Sequence, residues 1–291
     1  LLGENRLIVK EGLNRIINNN VNSGIHTLMD VYDVDCNDIK ASDIGFKIGP
    51  CINASGRLAS AEPPLELMLS DDKNQRNKLA YDLYENNERR KVITRNIYNN
   101  LLNKVNEDDN VIVCKGKMQQ GIVGLIAGRL KSRFDKPTIA VDKLSRKGSC
   151  RSVEPFNIYE NLKKCYDEGL LDKAGGHEMA AGISVSEQKY GDFKKRINEL
   201  AEGIDYKIKQ FNMEIGINKI TRGLIDDINQ TMAPFGKDNE KPTFLTTNIN
   251  ANNLRIIKKE HIKFKVNGID AIAFRMAYKE HLLKNESVNI I

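Results

Sequence analysis

Residues 173–182 read KAGGHEMAAG, with two glycines before a histidine and mainly small side chains after it. Paired glycines permit positive φ and let backbone N–H groups approach a ligand that a Cβ atom would hold away. The small residues that follow suit a tightly packed element whose amides could cradle a phosphate, with His177 nearby as a donor or an acid. Taken alone, the same letters fit a Gly-rich turn into a packed helix or strand that carries a surface histidine.

A second segment, residues 48–58, reads IGPCINASGRL. The helix predicted over 41–48 is expected to end at Gly49-Pro50, because proline interrupts a helix. This places Arg57 on the following loop, where its guanidinium can bind a phosphate through two hydrogen bonds. A structural salt bridge is the alternative role for Arg57.

A third segment, residues 148–152, reads GSCRS and is expected to end a strand. The hydroxyls of Ser149 and Ser152 lie on either side of Arg151, so the segment offers short donors and a two-pronged guanidinium. Such a set suits a terminal phosphate. Ser and Arg at the end of a strand are also common as solvated side chains, and the residues alone fit both interpretations.

These three segments, taken together and in this order, resemble the RecJ family of single-stranded-DNA exonucleases, within the DHH phosphoesterase superfamily. The GGHxxAAG pattern is similar to the signature of the superfamily's second domain, DHHA1, and the NAxGRL pattern is more specific to RecJ. A fourth stretch, APFGKDN at 233–239 with Pro242 and Phe244, resembles the start of the RecJ oligonucleotide-binding (OB) barrel. The resemblance covers nearly the whole chain.

The resemblance implies a 5′→3′ exonuclease that acts on single-stranded DNA in repair and recombination, with Mn²⁺ or Mg²⁺ activating a water molecule. The Asp-rich and Asp-His-His motifs that hold these metals in the family would precede residue 1. This chain is therefore expected to bind no metal and to be inactive alone. In RecJ proteins GENR, here at 3–6, follows those motifs, and ESVNII at 286–291 indicates a strand just beginning. We expect a fragment cut at both ends.

The resemblance also implies which residues bind the substrate. The first phosphates or the 5′ end would contact side chains of the second and third segments, namely Asn53, Arg57, Ser149, Arg151 and Ser152. The reacting nucleotide would lie against a loop made by Gly175, Gly176 and His177, with His177 in a supporting role and no catalytic residue in this chain. Single-stranded DNA is the expected partner, and a single-strand-binding protein or a helicase is a further one.

Composition limits the class of protein. At 291 residues and a net charge of +6, the chain has room for two domains and a mild basic bias, which suits a polyanionic partner but is common among other enzymes. No run of about 18 apolar residues exists, so no membrane-spanning helix is expected. Five scattered cysteines without C-x-x-C spacing indicate reduced thiols in a cytoplasmic protein. The chain has no His-His pair, and Asp33-Val34-Asp35 follows a helical pattern typical of solvated acids.

The hydrophobic pattern predicts an α/β fold followed by a β domain. Residues 1–70 are interpreted as the end of the catalytic domain and a helical segment, and 71–106 as one long connector helix with an uncovered polar middle. Residues 107–204 are interpreted as a DHHA1-like α/β domain, and 205–291 as an incomplete OB-like barrel. Strands of the barrel are predicted over 206–217, 244–245, 254–257, 262–266 and 271–274.

The barrel carries a basic run that includes Lys258 and Lys259, which is typical of surfaces that bind single strands. Solvated lysines on a generic β domain are the alternative. Phe264 lies among these lysines and is interpreted either as a base-stacking side chain or as part of the core.

One position departs from the family pattern. A histidine usually precedes the GIVG run at 121–124, and here Gln119-Gln120 stand in its place, so a proton-transfer or charge role is in doubt. Two other functions stay open. One is a DHH–DHHA1 phosphodiesterase of short oligoribonucleotides or cyclic dinucleotides, against which the 53–58 segment, the long helix and the barrel argue. The other is a non-catalytic single-strand-binding protein.

Overall fold

The computed structural model describes residues 1–58, 60–206, 210–285 and 287–291. The chain divides into two compact units. The larger unit contains residues 15–39 and 43–208, and the smaller unit contains 1–14, 40–42 and 209–291. Among the described residues, no helix is both long and apolar enough to cross a membrane.

The chain up to residue 102 is mainly helical. Its helices are α1 (Gly3–Ile17), α2 (Ser23–Val31), α3 (Ala41–Asp43), α4 (Gly49–Leu58), α5 (Glu62–Leu69) and α6 (Lys73–Leu102). Helices α2, α4 and α5 pack on α6. This helical part of the larger unit has its own apolar interior, which includes Leu28, Met29, Leu67 and Leu83.

The expected helix break at Gly49-Pro50 is wrong. A π-helical turn, Ile44–Ile48, leads directly into α4, and the N–H of Gly49 donates to the Ile44 carbonyl five residues back. In an ordinary α-helix the ring of Pro50 would clash with the carbonyl four residues earlier, and the wider π turn relieves this contact. Arg57 therefore lies in the last turn of α4 and not on a loop.

The long helix α6 has thirty residues, which corresponds to about 45 Å. Its polar middle is not uncovered, because α2 and α4 pack against it. Asn87 is fully buried there, and its Nδ2 donates to the Tyr32 hydroxyl at 2.6 Å. The C-terminal half of α6 packs on the next helix and strand, so one helix contributes to both the helical part and the sheet of the larger unit.

The sheet of the larger unit has five strands in the order β1-β2-β3-β5-β4, of which only the β1–β2 pair is parallel. The strands are β1 (Ile112–Gly116), β2 (Thr138–Asp142), β3 (Lys147–Arg151), β4 (Lys173–His177) and β5 (Ala180–Ser184). The helices that accompany them are α7 (Gln120–Phe134), α8 (Ile158–Asp167) and α9 (Tyr190–Glu199). One face is covered by α7 over β2 and β3, and a separate apolar core with α8 and α9 lies on the other.

The smaller unit contains two three-stranded sheets, ordered β10-β9-β8 and β11-β7-β6. The strands are β6 (Met213–Glu214), β7 (Phe244–Ile249), β8 (Asn252–Ile257), β9 (His261–Val266), β10 (Ile269–Ala273) and β11 (Val288–Ile290). Its helices include α10 (Arg222–Met232), α11 (Glu280–Asn285) and residues 3–14 of α1. The strand predicted over 206–217 shrinks to Met213–Glu214, and its positions 207–209 lie outside the described residues.

Candidate functional site

The strands β3, β5 and β4 form an open shelf of small side chains. Two rows of directly paired residues cross them, Ser149–Gly182–Gly175 and Arg151–Ala180–His177. Paired residues of neighbouring strands, and residues two apart on one strand, lie on the same face of a sheet. Gly175, His177 and Gly182 are exposed. The middle of the shelf therefore carries almost no side chains. Ser149 and Arg151 lie on one side of it. The backbone of His177 lies about 10 Å from that of Arg151, because two strand spacings separate them.

The glycine pair lies in a strand, so the expectation of a loop at Gly175-Gly176-His177 is wrong. All of β4 pairs in register with β5. Gly176 has φ +148°, and a Cβ atom there would lie 2.5 Å from both the carbonyl oxygen of Ala180 and the Cα of Ala181. Glycine is thus required at 176 for the close approach of two strands, while Gly175 faces open space.

The first turn of α7 brings the second and third sequence segments together. A Cβ atom at Gly121 would lie 2.4 Å from the Arg57 carbonyl oxygen, and one at Gly124 would lie 3.1 Å from Arg151 Nη2. Residues three apart lie on one face of a helix. Helix α4 therefore packs against this face at Gly121, and the Arg151 side chain reaches the same face at Gly124.

In the hydrogen bonds among the described residues, Arg57 and Arg151 each use only Nη1 as a donor. Arg57 is exposed, and its Nη1 donates to the Gly121 carbonyl at 2.9 Å. Arg151 is half-buried, and its Nη1 donates to Ser149 Oγ at 3.0 Å and to the Cys150 carbonyl at 2.7 Å. Within the described ranges neither guanidinium forms an ion pair with a carboxylate, and a guanidinium has five N–H donors. Two positive groups without acidic partners beside a bare shelf can bind an anion.

His177 and Ser152 differ in what they can offer. The exposed His177 accepts a long hydrogen bond on Nδ1 from the backbone N–H of Met179 at 3.4 Å, which leaves Nε2 for a ligand. Ser152 is only 1 % exposed, and its hydroxyl donates to the Phe156 carbonyl at 2.5 Å. We therefore assign Ser152 a structural role.

Asn53 lies one helical turn before Arg57 on α4 and is exposed. The two residues line a shallow groove of about 640 Å³ whose other walls are largely apolar and come from α2, α4 and α5. The groove places an amide beside the guanidinium, so Asn53 can bind the same ligand as Arg57.

A buried carboxylate that was not singled out from the sequence holds the segment before α7. Asp142 is 3 % exposed and accepts hydrogen bonds from Met118 N at 2.9 Å, Ser145 N at 2.8 Å and Ser145 Oγ at 2.6 Å. Gln119, at the N-cap of α7, is exposed and makes no side-chain capping bond. Asp142 thus fixes the approach to the helix turn where the two arginines meet.

Lys258 and Lys259 belong to the smaller unit. Both are exposed and have positive φ, 52° and 59°, in the turn between β8 and β9. Phe264 is 4 % exposed and packs in the core of this unit, so it does not stack on a base.

The described residues contain no group of three or more His, Cys, Asp or Glu side chains that could hold a metal ion. The donor set of this part of the chain therefore does not fit the two-metal site of a phosphodiesterase. No step below is assigned to a metal.

Comparison with known proteins identifies the family and the fold class of the chain. The family model of the DHHA1 domain matches residues 108–203, and that of the RecJ OB domain matches residues 211–291. The single-stranded-DNA-specific exonuclease RecJ of Bacillus subtilis is 29 % identical over 99 % of this chain. The chain belongs to the RecJ family. The predicted fold class, an α/β domain followed by an OB domain, is confirmed.

Solved RecJ structures support the same assignment. The RecJ of Thermus thermophilus in complex with Mn²⁺ is 28 % identical, covers 94 % of this chain and superposes with a TM-score of 0.78. The complex of that protein with Mg²⁺ gives 0.77 over the same share. The chain spans 39 % of the length of the B. subtilis RecJ and 41 % of the Mn²⁺ structure. The domain limits at 70, 106 and 204 and the roles of the site residues stay predictions.

Proposed function

We propose that the larger unit binds the 5′ end of a single DNA strand for a RecJ-type 5′→3′ exonuclease. The observation that carries this proposal is the convergence of Arg57 and the Ser149–Arg151 pair on the first turn of α7, beside the exposed Gly175–His177 strand. Relatives that carry these domains are described as single-stranded-DNA-specific exonucleases. The matched OB domain favours this function over a compact phosphodiesterase of dinucleotides.

The chemistry of the ligand follows from the donors. A terminal phosphate carries more negative charge than a bridging one and exposes three oxygens. Arg57 and Arg151 supply charged N–H donors, and Ser149 Oγ accepts from Arg151 while keeping its own proton to donate. The glycine floor lets a sugar-phosphate chain lie close to the backbone of β4 and β5. Because Nδ1 of His177 accepts from Met179, the neutral ring carries its proton on Nε2, which donates to the next group along the strand at the far edge.

Cleavage itself would depend on groups outside the described residues. RecJ structures are described in complex with Mn²⁺ or Mg²⁺, and such ions supply an activated water and neutralise charge on the phosphate. In this proposal the chain orients the strand end, and its described residues contain no group of three or more side chains that could hold a metal ion. That residues 1–291 lack nuclease activity alone stays a prediction. We also place the protein in the cytoplasm, in keeping with its five free cysteines.

Substitution of the two arginines tests the proposal. Charge-assisted hydrogen bonds contribute roughly 1.5–3 kcal/mol each, so Arg57→Ala or Arg151→Ala should weaken binding of a 5′-phosphorylated oligonucleotide about ten- to a hundredfold. Binding of the 5′-hydroxyl strand should change much less. Fluorescence anisotropy with both oligonucleotides measures the preference directly.

A matched control is Lys163→Ala, which removes an exposed positive charge from α8, outside the shelf. This variant should keep the preference of the unmodified chain. If Arg57→Ala and Arg151→Ala fold normally and also keep it, the two arginines are structural and the proposed site is wrong.

A further inference from the structure

We propose that Arg90 of the long helix α6 is a third guanidinium of the strand-end site and determines its preference for a terminal phosphate. This inference rests on the proposed function and extends it to a residue from a different element. It assigns α6 a part in ligand recognition, in addition to its packing role.

Arg90 lies three residues after Asn87 and so on the same face of α6, where Asn87 contacts Tyr32, and α6 also packs against α4, the helix that carries Arg57. Its side chain is half-buried, and its Nε is fully buried without a hydrogen-bond partner. Within the part of the chain that the structure describes, no carboxylate forms an ion pair with it. Arg76 Nε on the same helix is buried and unsatisfied in the same way, so this atom does not by itself require a ligand, but the charge of Arg90 stays available to a ligand at the part of its side chain that is not buried.

The charges around Arg90 favour an anion as that ligand. Burial and, next, the positive charge of Arg57 lower the pKa of Arg90, which shows that the two guanidiniums lie within electrostatic reach of each other. The nearest acid on α6, Glu88, already pairs with Lys91 at 2.5 Å. The charged groups that act on Arg90 are thus the like charge of Arg57 and the carboxylate of Glu88, which Lys91 shares.

The remaining groups near Arg90 do not neutralise it. Burial raises the pKa of the Tyr32 hydroxyl and that of the Cys51 thiol, so both are uncharged at neutral pH. Tyr32 comes from α2 and Cys51 from α4, the two helices packed against this part of α6. A phosphate held by Arg57 would add negative charge to that of Glu88, which Lys91 already shares.

The obvious alternative is that Arg90 only packs its aliphatic stem between helices. Two substitutions separate the roles. Arg90→Gln keeps most of the stem and removes the charge, whereas Arg90→Lys keeps the charge and loses the planar fork. A purely structural Arg90 would alter thermal stability in both variants without changing the ratio of affinities for two DNA ends.

The test measures binding of residues 1–291 to one single-stranded oligonucleotide that carries either a 5′-phosphate or a 5′-hydroxyl. We expect Arg90→Gln to reduce the affinity ratio about tenfold, and Arg90→Lys to restore part of it, because a charge within several ångströms in a partly buried site contributes on this scale. The matched control is Arg89→Gln, since Arg89 is exposed and lines a different groove with Tyr81 and Tyr84.

The outcomes distinguish a failure of the role proposed for Arg90 from a failure of the proposed strand-end site. If the unmodified chain prefers the 5′-phosphate and a folded Arg90→Gln variant keeps the full ratio, Arg90 is structural and this inference fails while the site stands. If Arg89→Gln reduces the ratio equally, the effect is one of general charge and Arg90 has no special role. If the unmodified chain shows no preference at all, the proposed site and the role of Arg90 fall together.

Discussion

Single glycines control how closely α7 approaches the arginine-bearing elements. At Gly121 a methyl group would meet Arg57 backbone atoms at 2.4–2.8 Å, and backbone cannot move aside as a flexible side chain can. We expect Gly121→Ala to destabilise the protein by roughly 1–3 kcal/mol, as overpacking does. It should also weaken the preference for a 5′-phosphate, because α4 has to shift.

The same helix offers a control. A methyl group at Gly128 would have nothing within 4 Å, so Gly128→Ala should stabilise the protein by about 0.5–1 kcal/mol through helix propensity. Chemical unfolding of both variants, together with the oligonucleotide assay, checks the pair. Equal stability changes in the two variants would show that the close contact at Gly121 does not constrain the helix.

The sequence predicted several residues of the site but not their surroundings. Side-chain type made Arg57, Ser149, Arg151 and His177 candidates for binding a phosphate, and the resemblance to RecJ selected them over a structural interpretation. It could not reveal that the Ser152 hydroxyl is used internally, since burial depends on contacts with Phe156 four residues away. Gly121 and Gly124 carried a usable signal, their spacing of three within a helix, but their partners lie far away in the chain.

At the scale of elements, backbone geometry and tertiary contacts explain where local patterns failed. A proline normally predicts a break, yet the π turn before Pro50 keeps the chain helical. Two adjacent glycines normally predict a turn, yet β5 pairs with every residue of β4. The polar middle of α6 suggested a solvated connector, whereas Asn87 is buried there and donates to the Tyr32 hydroxyl. Only this last contact joins residues remote in sequence, because the π turn and the pairing of β4 with β5 form between neighbouring residues.

The loop between β1 and α7 depends on one carboxylate. Burial raises the pKa of Asp142, but hydrogen bonds from Ser145, Met118 and Leu144 outweigh it and lower the pKa below its usual value. Asp142→Asn turns one acceptor into a donor that faces other donors, and we expect a loss of about 1–3 kcal/mol at pH 7. A pKa lowered in the folded state adds stability above the unfolded pKa, and this stability is lost as pH falls below about 4.

Urea unfolding of the native chain and of Asp142→Asn at neutral and acidic pH checks the sign of this pH dependence of stability. The difference between the native chain and Asp142→Asn should be largest at pH 7 and should shrink as the pH falls below the unfolded pKa, because the unfolded chain then binds a proton at Asp142 more readily than the folded protein does. Asp167→Asn, at an exposed position at the end of α8, serves as the control and should show almost no difference. A difference that grows on acidification would contradict the assignment.

At the scale of the whole molecule, the two units predict two separable contributions to DNA binding. In our proposal the larger unit binds a chain end through a few fixed donors. The smaller unit has exposed lysines at a turn and matches an OB domain, and both features suit a phosphate backbone with little dependence on sequence. Short strands should therefore depend on the first unit alone, and longer strands on both.

Substitutions in the turn at Lys258 and Lys259 test the predicted contribution of the smaller unit to DNA binding without harming the fold. Both residues have positive φ, so replacing them by Asn and Gly removes two charges and gives a sequence that favours this backbone. Each lost phosphate contact should reduce the slope of log K against log salt by about 0.7 for single strands. We therefore expect a slope reduced by about 1.4 with an oligonucleotide of roughly 20 nucleotides, and no change with one of about four nucleotides.

A variant with Lys10→Gln and Lys219→Gln removes two exposed charges elsewhere in the same unit and should keep the slope for both lengths. If the turn variant binds the long strand with an unchanged slope, the basic turn does not contact DNA and the smaller unit binds the strand through another surface.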